Sequence, residues 1–360
     1  MTPAAVSHPG VSRSRLRSAL NGAGPGFESL GALIVAFIIS GIVLLVAGHN
    51  PVAAAGELVQ RTVLRPSGLQ EVVVRAVPLL IVGLAVLVAA RAGLWNIGID
   101  GQLLVGAFST AIVGSWLDAA GRPVLWIVAI VAGAVGGVAW VAIPALLRMR
   151  WGINEIVTTI MFNYLALSLT AWLVKGPFRD ESLVAPQTPM IPRELRFVSF
   201  GDTRIHVGLI LALILWLVVT IWLQKTVSGF ELRAVGENSR AARHAMIPVA
   251  AIALVAMLAS GALAGVAGAN DVLSTKGTFQ AEWNPEYGLS AFALVFLARR
   301  NPYALLPAAL FLGVLAYGAD VMPRAAGIPP SFFSLFEGIL LIVFAVLHWR
   351  PWSRTISTSS

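Results

Sequence analysis

The chain has 360 residues, of which 58% are hydrophobic and only 12% charged, with a mean hydropathy of +0.83. A soluble domain carries about 25% charged side chains, so a soluble globular protein is excluded, and at roughly 20 apolar residues per crossing the chain has room for many spans. The formal net charge of +8 comes mostly from arginines at the ends of apolar runs, which is a topology signal rather than a nucleic-acid footprint. With no cysteine, the chain has no disulfide, thiol nucleophile or cysteine metal site.

In chain order, residues 1–29 read as a polar, basic cytoplasmic tail carrying Arg13, Arg15 and Arg17, without the pattern of a cleaved signal peptide. Apolar runs follow near 30–48, 72–90, 94–116, 123–147, 153–174, 207–224, 248–271, 287–298, 302–320 and 329–347. These predict an all-α polytopic membrane protein of about eight to ten transmembrane helices, one domain over 30–347, with a second tail at 348–360. The third run holds Asn96, Asp100 and Gln102 among glycines and the eighth is short, so both are expected to be broken or re-entrant elements covered by protein. Alternating sides from a cytoplasmic N-terminus places 14 Lys/Arg inside against five in the short outer connections, so both termini are read as cytoplasmic. Residues 175–206, with Pro177, Pro186, Pro189 and Pro192, then form a long outer loop suited to an external partner. The inner loop 225–248 is expected to hold a short helix capped by Asn238 or Ser239 and running to Ala245, with Pro248 opening the next span.

Polar side chains inside spans are costly and usually face a cavity or a partner. Asn96 and Asp100 are one helical turn apart, Thr159 and Asn163 likewise, and Gln102 and Tyr164 lie beside them, so these six are the candidate substrate path. The same spacing also fits a structural knot between packed helices. Asn154 and Glu155 suit a cap or interface role, and Asn270 and Asp271 either gate or stop the seventh span. Gly133 with Gly137 and Gly261 with Gly265 have the spacing that lets helix backbones touch. No Gly-Lys dipeptide occurs, so a G-x-x-x-x-G-K-[ST] phosphate loop is impossible, and the five histidines lack H-E-x-x-H spacing. No enzyme activity and no cofactor are expected. An ion-coupled secondary transporter would need a buried carboxylate, for which Asp100 is the candidate.

Four stretches in order resemble the permease subunits of bacterial ATP-binding-cassette importers of the branch-chain amino acid, ribose and nucleoside group: G-L-W-N-I-G-I-D-G-Q-L-L-V-G (93–106), G-I-N-E-I-V-T-T-I-M-F-N-Y (152–164), E-L-R-A-V-G-E-N-S-R-A-A-R-H-A-M-I (231–247) and G-A-L-A-G-V-A-G-A (261–269). The chain departs from the family pattern at Trp95 and Asp100, at Ser239, where proline is common, and at F-L-A-R-R-N-P (296–302). The resemblance implies a permease of the bacterial inner membrane, paired with a related second permease on an ATPase subunit and fed by an extracytoplasmic binding lipoprotein. It implies nucleosides as cargo, with ribose-type sugars as the alternative. It also implies that the 231–247 loop docks into the ATPase through Glu231, Arg233, Gly236, Glu237, Asn238 and Arg240.

Overall fold

The computed structural model describes residues 25–117, 119 and 121–347; the two predicted tails lie outside these residues except for 25–29, which already belong to the first helix. Thirteen α-helices are formed among the described residues: α1 (Pro25–Val46), α2 (Pro51–Val59), α3 (Pro66–Arg91), α4 (Ile99–Trp116), α5 (Arg122–Trp151), α6 (Glu155–Lys175), α7 (Gly208–Lys225), α8 (Val227–Glu237), α9 (Ser239–His244), α10 (Val249–Asp271), α11 (Tyr287–Leu297), α12 (Pro302–Ala326) and α13 (Ser331–Leu347). The all-α reading holds. Each predicted apolar run becomes a helix, and the region the sequence left blank after the first run contains another: α1 turns through 116° into α2 and its π-helical end, Gln60–Leu64. Asn50 makes this corner, its Oδ1 accepting from Val52 and Ala53 N at 3.0 and 3.2 Å while Pro51 opens the helix.

Among the described residues, six helices (α3, α5, α6, α7, α10 with its extension to Lys276, and α12) are long and apolar enough to cross a membrane alone, and the bent α1–α2 pair is a seventh if counted as one span. The short eighth run is the 11-residue α11, and the third breaks as expected, with non-helical chain from Gly93 to Gly98 before α4. The core is organised around α3: 83% of its apolar window is buried, against 17% for α6, so α3 is the post and α6 the outlying wall.

Glycine sets the closest approach. A methyl group on Gly265 of α10 would lie 2.9 Å from the carbonyl carbon of Gly133 and 3.1 Å from Cα of Gly137 on α5, so these two helices meet backbone to backbone. Apolar side chains gain little by meeting each other rather than lipid, so close packing of this kind carries helix association.

The connection after α6 is tied down. Thr188 N donates to the carbonyl of Phe279 (3.0 Å), Ile191 N to Gly277 (2.8 Å) and Phe197 N to Leu273 (2.8 Å), fixing the 176–207 loop on the segment that follows α10. His206, 4% exposed, closes this loop: its ring lies over Phe197 at 6.2 Å and its Nδ1 accepts from Gly208 N at 3.1 Å, at the start of α7. Burial pushes the imidazole pKa down to about 4, so the ring is neutral.

Candidate functional site

Where the chain leaves the helical path inside packed protein, its N–H and C=O groups need other partners, because little water reaches them. The polar residues of the third and fifth runs are those partners. Asn96 Oδ1 accepts from Gly98 N (3.1 Å) and from Gln102 Nε2 (2.8 Å), and its Nδ2 donates to Gln102 Oε1 (2.9 Å) and to Ser260 Oγ of α10 (2.9 Å). Asn163 of α6 spans the next gap, with Oδ1 accepting from Gly101 N and Nδ2 donating to the Ile97 carbonyl, both at 2.8 Å. Thr159 Oγ1 accepts from Ile97 N at 3.3 Å and donates to the Glu155 carbonyl at 2.6 Å. Asn96, Gln102 and Thr159 are buried. Four of the six predicted path residues therefore form one closed knot that joins α4, α6 and α10 and stands in for the missing helical ladder.

The other two lie elsewhere. Asp100 faces α11, where its Oδ1 accepts from Gly288 N at 2.8 Å. Tyr164 is 66% exposed on α6, in line with Val157, Met161, Leu165 and Ser168, on a face that no element among the described residues covers. Its spacing alone could not separate it from Asn163, one residue away and turned the other way.

Asn154 caps α6, its Oδ1 accepting from Ile156 N at 2.9 Å, and buried Glu155 pairs with Arg148 at the end of α5. Asn270 and Asp271 do not stop their helix, which continues as the π-helical turn Val272–Lys276; Tyr287 donates to Asp271 Oδ2 at 3.0 Å. Sequence reasoning missed Ser260, Arg148 and Tyr287 as polar partners, since each acquires its meaning only across helices.

At the same end of the molecule as the α3–α4 break, α8 and α9 form an elbow. Asn238 is its corner: it ends α8 and caps α9, with Oδ1 accepting from Arg240 and Ala241 N at 3.1 and 3.0 Å, one of the two caps the sequence offered. Glu237, Asn238 and Arg240 are exposed, whereas Glu231, Arg233 and Gly236 are half-buried against the body, Arg233 with one terminal nitrogen enclosed. A cavity of about 550 Å³ lies between the elbow and the ends of α5 and α10, lined by Arg148, Gly236, Arg240 and Arg243 among others.

Residues 68–345 match the family described as branched-chain amino acid transport system, permease component. The chain belongs to this family. A glucose ABC transporter permease protein of Haloferax volcanii is 32% identical over 86% of this chain and 84% of that protein. A guanosine ABC transporter permease protein of Bacillus subtilis is 30% identical over 87% and 91%, and a nucleoside ABC transporter permease protein of Lactococcus lactis 28% identical over 88% and 89%. This multi-pass permease subunit of an ABC transporter thus has relatives named for both nucleosides and a sugar.

Proposed function

We propose that the chain is the translocation subunit of an ATP-driven importer in the bacterial inner membrane, carrying nucleosides, and that it works opposite a related second permease. The observation that carries this reading is the uncovered α6 face. Val157, Met161, Tyr164, Leu165 and Ser168 stand exposed on a helix whose other side is knotted to α4, and none of them is charged. Across such a face a second permease would complete a path of hydroxyl, apolar and aromatic surface. That lining suits a neutral solute with hydroxyls and a flat base and disfavours a nucleotide with phosphate charge. The relatives named for guanosine and nucleosides support the cargo.

The α8–α9 elbow is read as the surface that docks on the ATPase, with Glu237, Asn238 and Arg240 outermost; on this reading the elbow end is cytoplasmic, as both termini are by the Lys/Arg distribution. The fixed 176–207 loop then faces outward, toward a binding lipoprotein. The test is uptake of labelled nucleoside into vesicles containing the complete complex. Transport should require ATP and be blocked by excess unlabelled nucleoside but not by glucose or ribose. The relative named for glucose favours the alternative, a simple sugar as cargo; equal competition by a sugar, or sugar uptake alone, would establish it and refute the nucleoside reading.

A further inference from the structure

Gly236, in the last turn of α8, packs directly on the end of α3. A methyl group there would lie 2.9 Å from the carbonyl carbon of Arg91 and from Gly93 N, and would overlap the Arg91 carbonyl oxygen. From the other side, a methyl on Gly93 would lie 3.2 Å from Gly236 Cα, and Gly93 has φ +74°, a conformation that favours glycine. The contact is backbone on backbone, with no side chain between to flex. The 550 Å³ cavity opens beside this same contact, with Ala92, Gly93 and Leu94 on one wall, Gly236 to Arg240 on another and Arg148 on a third. The elbow is therefore held by the two glycine backbones at the edge of an open space.

The contact leads into the broken segment. Past Gly93 the chain reaches Trp95, stacked on Phe292 of α11 at 6.1 Å, then Asn96, bonded to Ser260 of α10, and Ile97, bonded to Thr159 and Asn163 of α6. A shift imposed on residues 91–93 thus reaches three helices through hydrogen bonds and packed rings, and close-packed interiors pass on displacement rather than absorb it.

We infer that the Gly93–Gly236 contact is the point at which motion of the ATPase-docked elbow enters the membrane domain, and that residues 92–98 carry it to α6 and the path. Gly236 is thereby a positioning residue that acts through the broken segment rather than by touching the ATPase. The inference rests on the docking role proposed above for α8–α9.

The test is hydrogen–deuterium exchange on the complete reconstituted complex, nucleotide-free and trapped with ATP and vanadate, alongside a Gly236→Ala permease. In the wild type, peptides from 227–245 and from 91–98 should change protection together. Gly236→Ala should keep the response of 227–245, lose the response of 91–98, and lower uptake roughly tenfold or more, within the usual range of coupling energies. A wild-type response confined to 227–245, or wild-type uptake by Gly236→Ala, would overturn the inference while leaving the docking role standing. No response in either segment would refute the docking role itself, and the inference with it. If Gly236→Ala does not assemble, the wild-type comparison decides alone.

Discussion

Replacing Asn96 by alanine tests the knot most directly, because that one amide holds four bonds. The substitution removes the partners of Gly98 N, of both ends of the Gln102 amide and of Ser260 Oγ. The serine hydroxyl can turn to a carbonyl of its own helix, and a water can enter the small polar hole, so about two groups stay unpaired. At about 1–3 kcal/mol for each buried unsatisfied group, the expected loss is roughly 2–4 kcal/mol. Gln102→Ala breaks two of the same bonds and should cost a similar amount. The double variant has already lost those bonds once, so its cost should fall short of the sum by about 1–2 kcal/mol. The assay is reversible unfolding in mixed micelles, or the temperature at which the permease leaves its monodisperse peak, measured for both singles and the double. Single costs below about 0.5 kcal/mol that simply add would refute the claim that these amides replace a helical ladder.

Tyr164→Ala should leave thermal stability unchanged while lowering uptake in the reconstituted complex, since the side chain is 66% exposed; a stability loss equal to that of Asn96→Ala would remove it from the path. Gly265→Leu should prevent α10 from seating on α5 and cost several kcal/mol, read as loss of the folded permease peak, whereas Gly31→Leu, with open space around its Cβ position, should be silent. The 176–207 loop should weaken in acid. Unfolded His206 binds a proton near pH 6.5 and the folded ring only near 4, so its contribution is complete above pH 6.5 and falls away between 6.5 and 4, by up to about 3 kcal/mol. His206→Asn, which can still accept from Gly208 N, should flatten the stability profile over that window; an unchanged profile would assign the acid sensitivity to other groups.

The apolar runs were legible because hydrocarbon admits little besides long apolar helices, and the broken third run was legible because Asn96, Asp100 and Gln102 among glycines are incompatible with an exposed span. The Asn238 cap could be read because capping is local, set by a short polar side chain and the three residues after it. The corner at Asn50 carries the same Asn-Pro signal as Asn301 before α12 and went unread, since the short α2 that follows has no span-length run to announce it. The roles of the polar residues were not legible. Asn163 and Tyr164 are neighbours of similar polarity, yet one closes the knot and the other faces outward, and only the orientation of α6 against α4 decides which.

That division has a consequence for specificity. A carboxamide that already makes the bonds of Asn96 or Asn163 can offer them to a solute only by releasing a buried backbone group, which costs more than a weak transport contact returns. The knot is therefore poor at recognising cargo and good at holding α4, α6 and α10 in register. On the function proposed above, recognition would fall to exposed polar side chains, which on α6 means Tyr164 and Ser168 among aliphatic neighbours. One such face is half a lining. Two permeases that share the knot can differ freely along this outward row without disturbing their folds.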